Sequence, residues 1–569
     1  MKVSDYIVSF LIEKQITDIF GYPGGMVTHL LDSLSKQKDK ITAHICYHEQ
    51  GAAFAACGYA QVSLKPGVAY ATSGPGVTNL LTGIANAYYD SIPTIFITGQ
   101  VNTYEGKGNL PIRQKGFQEM DVISLVESIT KYSAKITDAQ EIKYHLEKAY
   151  NLATEGRPGP VVLDIPMNIQ RAEIEPSNIN SFITPHQSNK HSASHVTERI
   201  HDALMNAKRP CIVAGAGINS SGMGQQFAKW INQIKAPVVS SMPGIDALPA
   251  SPYYFDFIGA YGPRHANFIL AKSDLIISLG SRLGTRQTGA NTDNFAVNAK
   301  LLRVDVDNGE FSRKVKNDEE AFLIDLKELL PALQNTGHVA NFSSWLNVCN
   351  EIKTKLQYID DQEANKAVRK LSEWIDSHTI VTTDVGQNQV WVAQSFTPSG
   401  QRILFSSGHG AMGYSLPAAI GAHYGSGGKT VFAFTGDGGL QMNIQELQFL
   451  ARERIPVKII LLNNHSLGMI RHFQEMYFES NFMHTKCQGG YTIPDFGAVI
   501  TAYGIPYVKA EGLVKLESVK PYMESPGPAF IEISLKDDTY VFPKLAMGKL
   551  NHDQEPELPR ELFEYLTNL

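Results

Sequence analysis

The sequence TVFAFTGDGGLQMNIQELQFLARERIPVKIILLNN, residues 430–464, decides the fold class of this chain. It begins with an apolar, β-branched run, continues with apolar residues at helical spacing and ends with a second apolar run. Strand, helix and strand in this order predict a parallel sheet. Asp437 and Asn464 therefore emerge on neighbouring loops at the carboxyl edge of that sheet, where open α/β folds bind ligands.

These two strand ends carry oxygen ligands that suit a divalent metal and a diphosphate. Mg²⁺ prefers oxygen ligands in octahedral geometry and keeps phosphate oxygens in its shell. We expect the Asp437 carboxylate, the Asn464 amide oxygen and the Ser466 carbonyl as its protein ligands. Gly438 and Gly439 have no Cβ, so their backbone can approach phosphates and donate N–H groups to them. The alternative is an ordinary Asp-Gly turn beside an Asn-rich turn.

Composition predicts a multidomain globular protein. The chain has 569 residues, 43% hydrophobic and 19% charged. Its formal net charge of −6 gives no reason to expect a nucleic-acid partner. Five scattered cysteines, without CxxC spacing, indicate free thiols in a reducing compartment, which favours the cytoplasm. The N-terminal MKVSDYIVSFLIEKQ is typical of an amphipathic helix rather than a signal peptide, and no apolar run is long enough to predict a membrane span.

Two changes in composition divide the chain. Residues 171–194 are polar and weakly patterned and predict a linker, whereas 336–366 predict a helical connector. We expect three doubly wound, parallel-sheet α/β domains and a C-terminal tail, at 1–172, 190–335, 367–540 and 541–569.

Further motifs resemble a known family. The segments are FGYPGG (20–25), YHEQGAAFAACGYA (47–60), ATSGPGVTNLLTGIANAYYDSIPTIFITGQ (71–100) and GFQEMDV (116–122). With GDG and NN, they resemble the thiamine diphosphate (ThDP) enzymes, and in particular the acetohydroxyacid (acetolactate) synthase branch, from about residue 4 to about residue 548. The resemblance implies that the first and third domains bind the pyrimidine and diphosphate ends of ThDP across the interface of a homodimer or homotetramer.

Glu49 is the candidate proton-transfer group. It follows a predicted strand and opens a small-residue helix, an environment that suits a carboxyl group to proton exchange. The alternative is an acidic residue that complements the helix macrodipole. The resemblance implies that Glu49 serves the cofactor aminopyrimidine and that Gly25, Phe117 and Gln118 line the reacting centre. There an amide donor can stabilise a developing alkoxide, and Phe117 would exclude water.

The remaining cofactor residues are implied largely by the resemblance. In the third domain they are Gly386, Gln387, Asn388, Gly410 and Met412, with Asn388 standing where the synthases often have His. The central domain has a strand before Gly215-x-Gly217, half of a dinucleotide fingerprint, and Arg282, Arg286 and Asp305 at further strand ends. The resemblance implies a FAD site without a redox role in the main reaction, formed by Arg157, Gly215, Ala216, Gly217, Arg282, Arg286, Asp305 and Asp325.

Departures from the synthases cluster at the expected acceptor pocket, at Met167, Ala260-Tyr261, Gly284-Thr285 and Phe473. These departures predict an acceptor pocket with more room. With them, the sequence resembles the flavin-containing ThDP enzymes that add a two-carbon branch to a nucleotide-activated 4-keto-3,6-dideoxyhexose in yersiniose biosynthesis. We therefore predict a carboligase that decarboxylates pyruvate and transfers the two-carbon unit to a ketone, plausibly on such a sugar. The alternatives are acetolactate synthase, a flavin-linked pyruvate oxidase and a ThDP-binding scaffold without activity.

Overall fold

The computed structural model describes residues 1–184, 191–335, 337, 340–546 and 548–569. It contains three six-stranded sheets, and every strand pair within them is parallel. The predicted fold class, three parallel-sheet α/β domains, is confirmed.

The first sheet has the spatial order β2-β1-β3-β4-β6-β5. Its strands are β1 (Asp18–Gly21), β2 (Thr42–Ile45), β3 (Gly67–Ala71), β4 (Thr94–Gln100), β5 (Tyr132–Lys135) and β6 (Pro160–Pro166). Its helices are α1 (Val3–Glu13), α2 (Thr28–Ser35), α3 (Glu49–Ser63), α4 (Pro75–Tyr89), α5 (Val122–Val126), α6 (Ile142–Thr154) and α7 (Met167–Gln170).

The central sheet has the order β12-β11-β10-β7-β8-β9. Its strands are β7 (Pro210–Ala214), β8 (Val238–Ser240), β9 (Tyr254–Phe257), β10 (Leu275–Leu279), β11 (Lys300–Asp305) and β12 (Glu320–Leu323). Its helices are α8 (Ala193–Asn206), α9 (Gly217–Ser220), α10 (Gly224–Ile234), α11 (Arg264–Lys272), α12 (Thr285–Thr288) and α13 (Leu326–Leu333). Helices α14 (Ser343–Leu356) and α15 (Glu363–Ser372) then lead to the third sheet, in and just after the segment predicted as a helical connector.

The third sheet has the order β14-β13-β15-β16-β18-β17. Its strands are β13 (Ile380–Thr383), β14 (Arg402–Leu404), β15 (Val431–Gly436), β16 (Val457–Asn463), β17 (Tyr507–Glu511) and β18 (Ala529–Ser534). Its helices are α16 (Gln387–Ser395), α17 (Ser415–Gly425), α18 (Asp437–Met442), α19 (Leu447–Glu453), α20 (Gly468–Tyr477), α21 (Phe496–Ala502) and α22 (Lys520–Glu524), and α23 (Arg560–Asn568) closes the chain.

Each sheet is buried on both faces. In β15, Val431 and Ala433 belong to one apolar cluster and Phe432 and Phe434 to another, as expected when neighbouring side chains point to opposite faces. The cluster that contains Val431 also contains residues of the first sheet such as Phe20. The first and third domains therefore share one apolar core.

Helices α3 and α17 cross at very short distance and hold these two domains together. A Cβ at Gly58 would lie 2.0 Å from the Ala418 carbonyl oxygen, and one at Gly421 would lie 1.7 Å from the Ala55 carbonyl oxygen. Only glycine fits at either position. Because α3 begins at Glu49, this crossing fixes Glu49 relative to the third domain.

The segments between and after the domains are partly packed. Residues 185–190, within the predicted linker, lie outside the described residues, as does the predicted first residue of the central domain. Ile174 and Ile179, also in the predicted linker, are instead buried in the core of the first domain because they cover its apolar face. In the tail, Leu558 and Leu566 pack into the central domain.

Two findings bear on the expected compartment. Cys46, Cys57, Cys211 and Cys349 are buried free thiols, and Cys487 is an exposed one. None of the helices in the described part of the chain combines the length and apolar character that crossing a membrane requires.

Candidate active site

The three predicted metal ligands meet at the carboxyl edge of the third sheet. Asp437 follows β15, and its two carboxylate oxygens accept hydrogen bonds from Gly438 N and Ser466 N, each at 2.9 Å. Asn464 follows β16 and donates from Nδ2 to Gln387 Oε1 at 2.9 Å. Its amide oxygen is therefore the atom left to contact a cation. Asp437, Asn464 and Ser466 thus lie close together, as their positions after the two strands predicted.

Burial controls the charge of this site. Asp437 is only 2% exposed, and burial raises its pKa to about 7, against the lowering effect of the two backbone N–H groups. A bound cation would favour the ionised form. No group of three or more His, Cys, Asp or Glu side chains suited to a metal occurs among the described residues. A cation at Asp437 would thus depend on amide, carbonyl and phosphate oxygens for its other ligands.

The start of α16 forms a polar cradle beside the metal ligands. Gly386 has φ 137°, a conformation that side chains rarely adopt, and it delivers Gln387 and Asn388 into the site. Gln387 Nε2 and Asn388 Oδ1 are buried and have no hydrogen-bond partner among the described residues. Because orphaned buried polar atoms cost free energy, these two atoms fit a polar ligand such as a diphosphate.

The loop before α17 completes this side of the site. Gly410 has φ 73°, and no atom lies within 4 Å of the position that its Cβ would occupy. The methyl group of Met412 lies 3.2 Å from the corresponding position at Gly438. Met412 and the glycine-rich turn are therefore adjacent, as expected if both contact one ligand.

Asp384 organises these loops and was missed by sequence reasoning. It follows β13 and accepts hydrogen bonds from Val385 N, Gly413 N and Ser415 N at 2.8, 2.9 and 3.2 Å. It also lies 2.6 Å from the Cβ position of Gly439. Burial raises its pKa to about 6. The only signal in the sequence was an acidic residue at the end of an apolar strand.

The predicted reacting groups gather at the edge of the first sheet. Glu49 opens α3, is buried, and accepts a hydrogen bond from Asn79 Nδ2 at 2.9 Å. Gln118 has φ 61° and packs against Gly74, in the turn before α4. Gly25 begins a short 3-10 turn whose next residue donates to Thr72, and Phe117 is 79% exposed.

Glu446 links the two edges and was also missed. It is fully buried, accepts a hydrogen bond from Tyr47 N at 2.9 Å, and has one carboxylate oxygen without a partner in the described part of the chain. Burial raises its pKa to about 8. Glu446 lies between α18, which starts at Asp437, and the turn that precedes Glu49. It therefore positions that turn from the third domain.

The predicted residues of the central domain meet where the strand order reverses, between β7 and β10. A Cβ at Gly215 would lie 1.9 Å from the Gly280 carbonyl oxygen, and Gly217 N donates to that oxygen at 3.1 Å. These glycines thus allow two loops to pack closely. The Arg282 and Arg286 side chains are exposed and make no hydrogen bond or ion pair with the described residues, which suits an anionic ligand.

The other residues predicted to bind a cofactor here are partly engaged. Asp305 ends β11 and accepts from Asp307 N at 3.0 Å, and burial raises its pKa. Asp325 caps α13 by accepting from Lys327 N at 2.8 Å. Arg157 forms ion pairs with Asp307 at 2.9 Å and Glu310 at 2.6 Å. Its guanidinium group therefore holds the first domain against the central one, and a cofactor contact by Arg157 stays a prediction.

One cavity of about 1000 Å³ lies between the central and third domains and is also bordered by first-domain residues such as Tyr89, Asp90 and Arg157. The predicted residues that line it are Arg157, Ala216, Gly217, Arg282, Arg286, Asp305, Asp325, Gly386, Gln387, Asn388, Gly410, Met412, Asp437, Gly438, Gly439, Asn464 and Ser466. Gly25, Glu49, Phe117 and Gln118 are not among its lining residues. A single chain therefore does not bring Glu49 to the cavity that Asp437 lines.

Three parts of the chain match models of one family. Residues 1–125, 197–333 and 384–533 match the N-terminal TPP binding domain, the central domain and the C-terminal TPP binding domain of the thiamine pyrophosphate enzymes. The acetolactate synthase large subunit of Lactococcus lactis is 36% identical over 558 residues, 96% of this chain and 94% of that protein. The chain belongs to the thiamine pyrophosphate enzyme family.

Other relatives of this thiamine pyrophosphate enzyme are also acetolactate synthases. The acetolactate synthase isozyme 2 large subunit of Escherichia coli is 33% identical over 576 residues, 98% of this chain and all of that protein. Acetolactate synthase 1 of Oryza sativa is 33% identical over 575 residues, 96% of this chain and 86% of that protein. The protein is thus an acetolactate synthase-like enzyme of the transferase type that forms C–C bonds. The relatives favour the acetolactate synthase alternative over the sugar carboligase.

Proposed function

We propose that this protein is an acetolactate synthase that uses ThDP and Mg²⁺ to join two molecules of pyruvate with loss of CO₂. The observation that carries the proposal is the convergence of Asp437, Asn464 and Gln387 at one edge of the large cavity. The names of the relatives support the same reaction.

Each group in the chain has a defined task in this proposal. When bound, ThDP would supply a carbon nucleophile and a cationic ring that can take up the electron pair released by decarboxylation of pyruvate. Asp437, Asn464 and Ser466 would hold Mg²⁺, and Gln387 with its neighbours would hold the diphosphate. Met412, which lines the cavity beside Gly438, would pack against the cofactor.

The groups at the first sheet would then act on protons and charge. Glu49 would hold and exchange a proton at the aminopyrimidine ring, a role that its burial and its hydrogen bond from Asn79 support. Gln118 would donate a hydrogen bond to the oxygen that becomes negative as the new bond forms. Phe117 would exclude water from the reacting centre.

We infer that the complete site forms between two copies of the chain, in a homodimer or homotetramer. Supporting this, Glu49 and the cavity residues lie at separate edges of one chain. Exposed apolar side chains beside both edges, among them Phe117 and Ile470, are suited to burial by a partner.

The central crevice would bind FAD in a structural role. The guanidinium groups of Arg282 and Arg286, which have no hydrogen-bond or ion-pair partner among the described residues, and the acid Asp305 fit a dinucleotide diphosphate and ribose. Replacing FAD with its 5-deaza analogue, which cannot pass single electrons onward or react with oxygen, should preserve carboligation. Loss of turnover despite normal binding of the analogue would instead favour the flavin-linked oxidase.

Product analysis tests the proposed reaction. Purified enzyme with ThDP, Mg²⁺ and pyruvate should form acetolactate. A second candidate is transfer to a 4-keto-3,6-dideoxyhexose nucleotide, which the small Ala260 at the cavity wall favours because it leaves room for a large acceptor. Pyruvate is supplied as the donor, and the sugar nucleotide and an excess of 2-ketobutyrate are offered together as acceptors. A branched sugar as the main product would overturn the acetolactate synthase proposal.

A further inference from the structure

Lys544, in the C-terminal tail, has a buried ammonium group that forms no ion pair with the described residues. The residue is only 9% exposed. Its Nζ donates to the thioether sulfur of Met476 at 3.1 Å and lies 5.8 Å from the centre of the Phe473 ring. No carboxylate among the described residues lies within 4.0 Å of it. Burial lowers the pKa of Lys544.

Two other lysines of the described residues, the buried Lys458 and the half-buried Lys131, donate to oxygen. Lys458 donates to two carbonyl oxygens and to Ser525 Oγ, and Lys131 donates to two carbonyl oxygens at 2.7 Å. A thioether is a weak acceptor, and an ammonium group has three donors. The Lys544 ammonium group therefore has donors that no described residue accepts from. Burying a charge without a partner costs free energy.

Backbone hydrogen bonds fix the position of the Lys544 main chain. Lys544 N donates to Glu555 O at 2.9 Å, and Glu555 N donates back to Lys544 O at 2.7 Å. The next residue, Leu545, donates from N to Ala260 O at 2.8 Å. The backbone is thus held on both sides of the Lys544 Cα, which fixes the point from which the side chain extends.

The surroundings of Lys544 lead to the large cavity. Ala260 lines the cavity and donates from N to the carbonyl oxygen of Arg286, another lining residue. Phe473 and Met476 lie on α20, whose Met469 and Ile470 also line the cavity. Phe473 lies one helical turn beyond Met469 and Ile470. Lys544 therefore lies beside the rim of the cavity, between α20 and the Ala260 segment.

We propose that Lys544 is a specificity-determining residue whose ammonium group binds an oxyanion of the acceptor substrate at this rim. The inference rests on the proposed function, under which the oxyanion is the carboxylate of a 2-keto acid. The diphosphate of a sugar nucleotide would offer the same chemistry, and the experiment separates the two.

The experiment compares one acceptor with and without its charge. Holoenzyme receives pyruvate as donor together with either 2-ketobutyrate or its methyl ester, which keeps the reacting ketone. Lys544→Met preserves volume beside Met476 and removes the charge, and Lys544→Arg keeps the charge. Lys544→Met should lower kcat/KM for the acid by roughly 10- to 100-fold, which corresponds to the loss of one hydrogen bond to a charged group. The kcat/KM for the ester should not change. Lys544→Arg should retain most of the preference for the acid.

Controls separate this role from a structural one. Thermal unfolding and ThDP retention are measured for each variant, and Lys544→Gln replaces Lys544→Met if the latter does not fold. The first-turnover release of CO₂ reports on the donor alone and should not change. Equal losses for acid and ester, or slower CO₂ release, would overturn the proposal.

Failure of the proposed function gives a different result. If wild-type enzyme forms no acetolactate but branches the sugar nucleotide, the acetolactate synthase proposal fails. The Lys544 inference is then tested with the sugar nucleotide and the same sugar without diphosphate. A loss confined to the nucleotide in Lys544→Met supports binding of a diphosphate, and no loss in either overturns the inference.

Discussion

The stability of the Glu446→Gln variant relative to wild type is expected to increase as the pH rises. Glu446 is fully buried, and burial raises its pKa from 4.5 to about 8. The folded chain therefore binds this proton more tightly than the unfolded chain does. The stability that protonation contributes is complete below about pH 4.5 and is lost as the pH rises through about 8.

The size of the effect follows from the pKa difference. Gln carries no titrating proton, so its contribution does not change with pH, and its amide oxygen can still accept from Tyr47 N. At about 1.4 kcal/mol per pKa unit, the stability of Glu446→Gln relative to wild type should increase by about 3 kcal/mol between about pH 5.5 and about pH 8.5.

Urea unfolding of the two proteins at both pH values measures this difference, and hydrogen exchange at the Tyr47 amide reports it locally. Asp164→Asn is the matched control. Burial raises the pKa of Asp164 only to about 6, so the same interval should change its relative stability by less than about 1 kcal/mol. A constant difference between Glu446→Gln and wild type at both pH values would refute the reasoning.

Glu49→Gln keeps the shape of the side chain but cannot ionise, so exchange of the C2 proton of bound ThDP, followed by NMR, should slow by orders of magnitude. Unchanged exchange would remove Glu49 from the mechanism. Asp437→Ala should abolish Mg²⁺-dependent retention of ThDP and preserve retention of FAD, both measured after gel filtration, because the two sites lie in different domains. Loss of both cofactors would indicate misfolding instead. Gly421→Ala should destabilise the protein by about 3 kcal/mol, the upper range for overpacking, since its Cβ would lie 1.7 Å from the Ala55 carbonyl oxygen. Gly224→Ala, whose Cβ meets nothing closer than 3.6 Å, should be neutral or stabilising by up to about 1 kcal/mol, and equal melting temperatures of these two variants would contradict the close helix crossing.

The sequence predicted those parts of the candidate site whose residues lie within one short segment. Asp437 and Asn464 each follow an apolar strand, and parallel strands end at one edge, so the sequence alone placed them together. Arg157 shows the limit of this reasoning. Its ion pairs with Asp307 and Glu310 join residues about 150 positions apart, and no local pattern indicates them.

The sequence by itself determined the three parallel sheets and the polar strand ends, because the periodicity of side chains and the residues at strand ends are local properties. Only the tertiary structure revealed that Glu446 holds the turn before Glu49 and that glycines at the crossing of α3 and α17 join two domains. It also revealed that Lys544 forms no ion pair with any described residue. These features depend on which distant segments meet. Those contacts are set by the packing of whole domains, and backbones as close as those at Gly58 and Gly421 leave no room for any side chain.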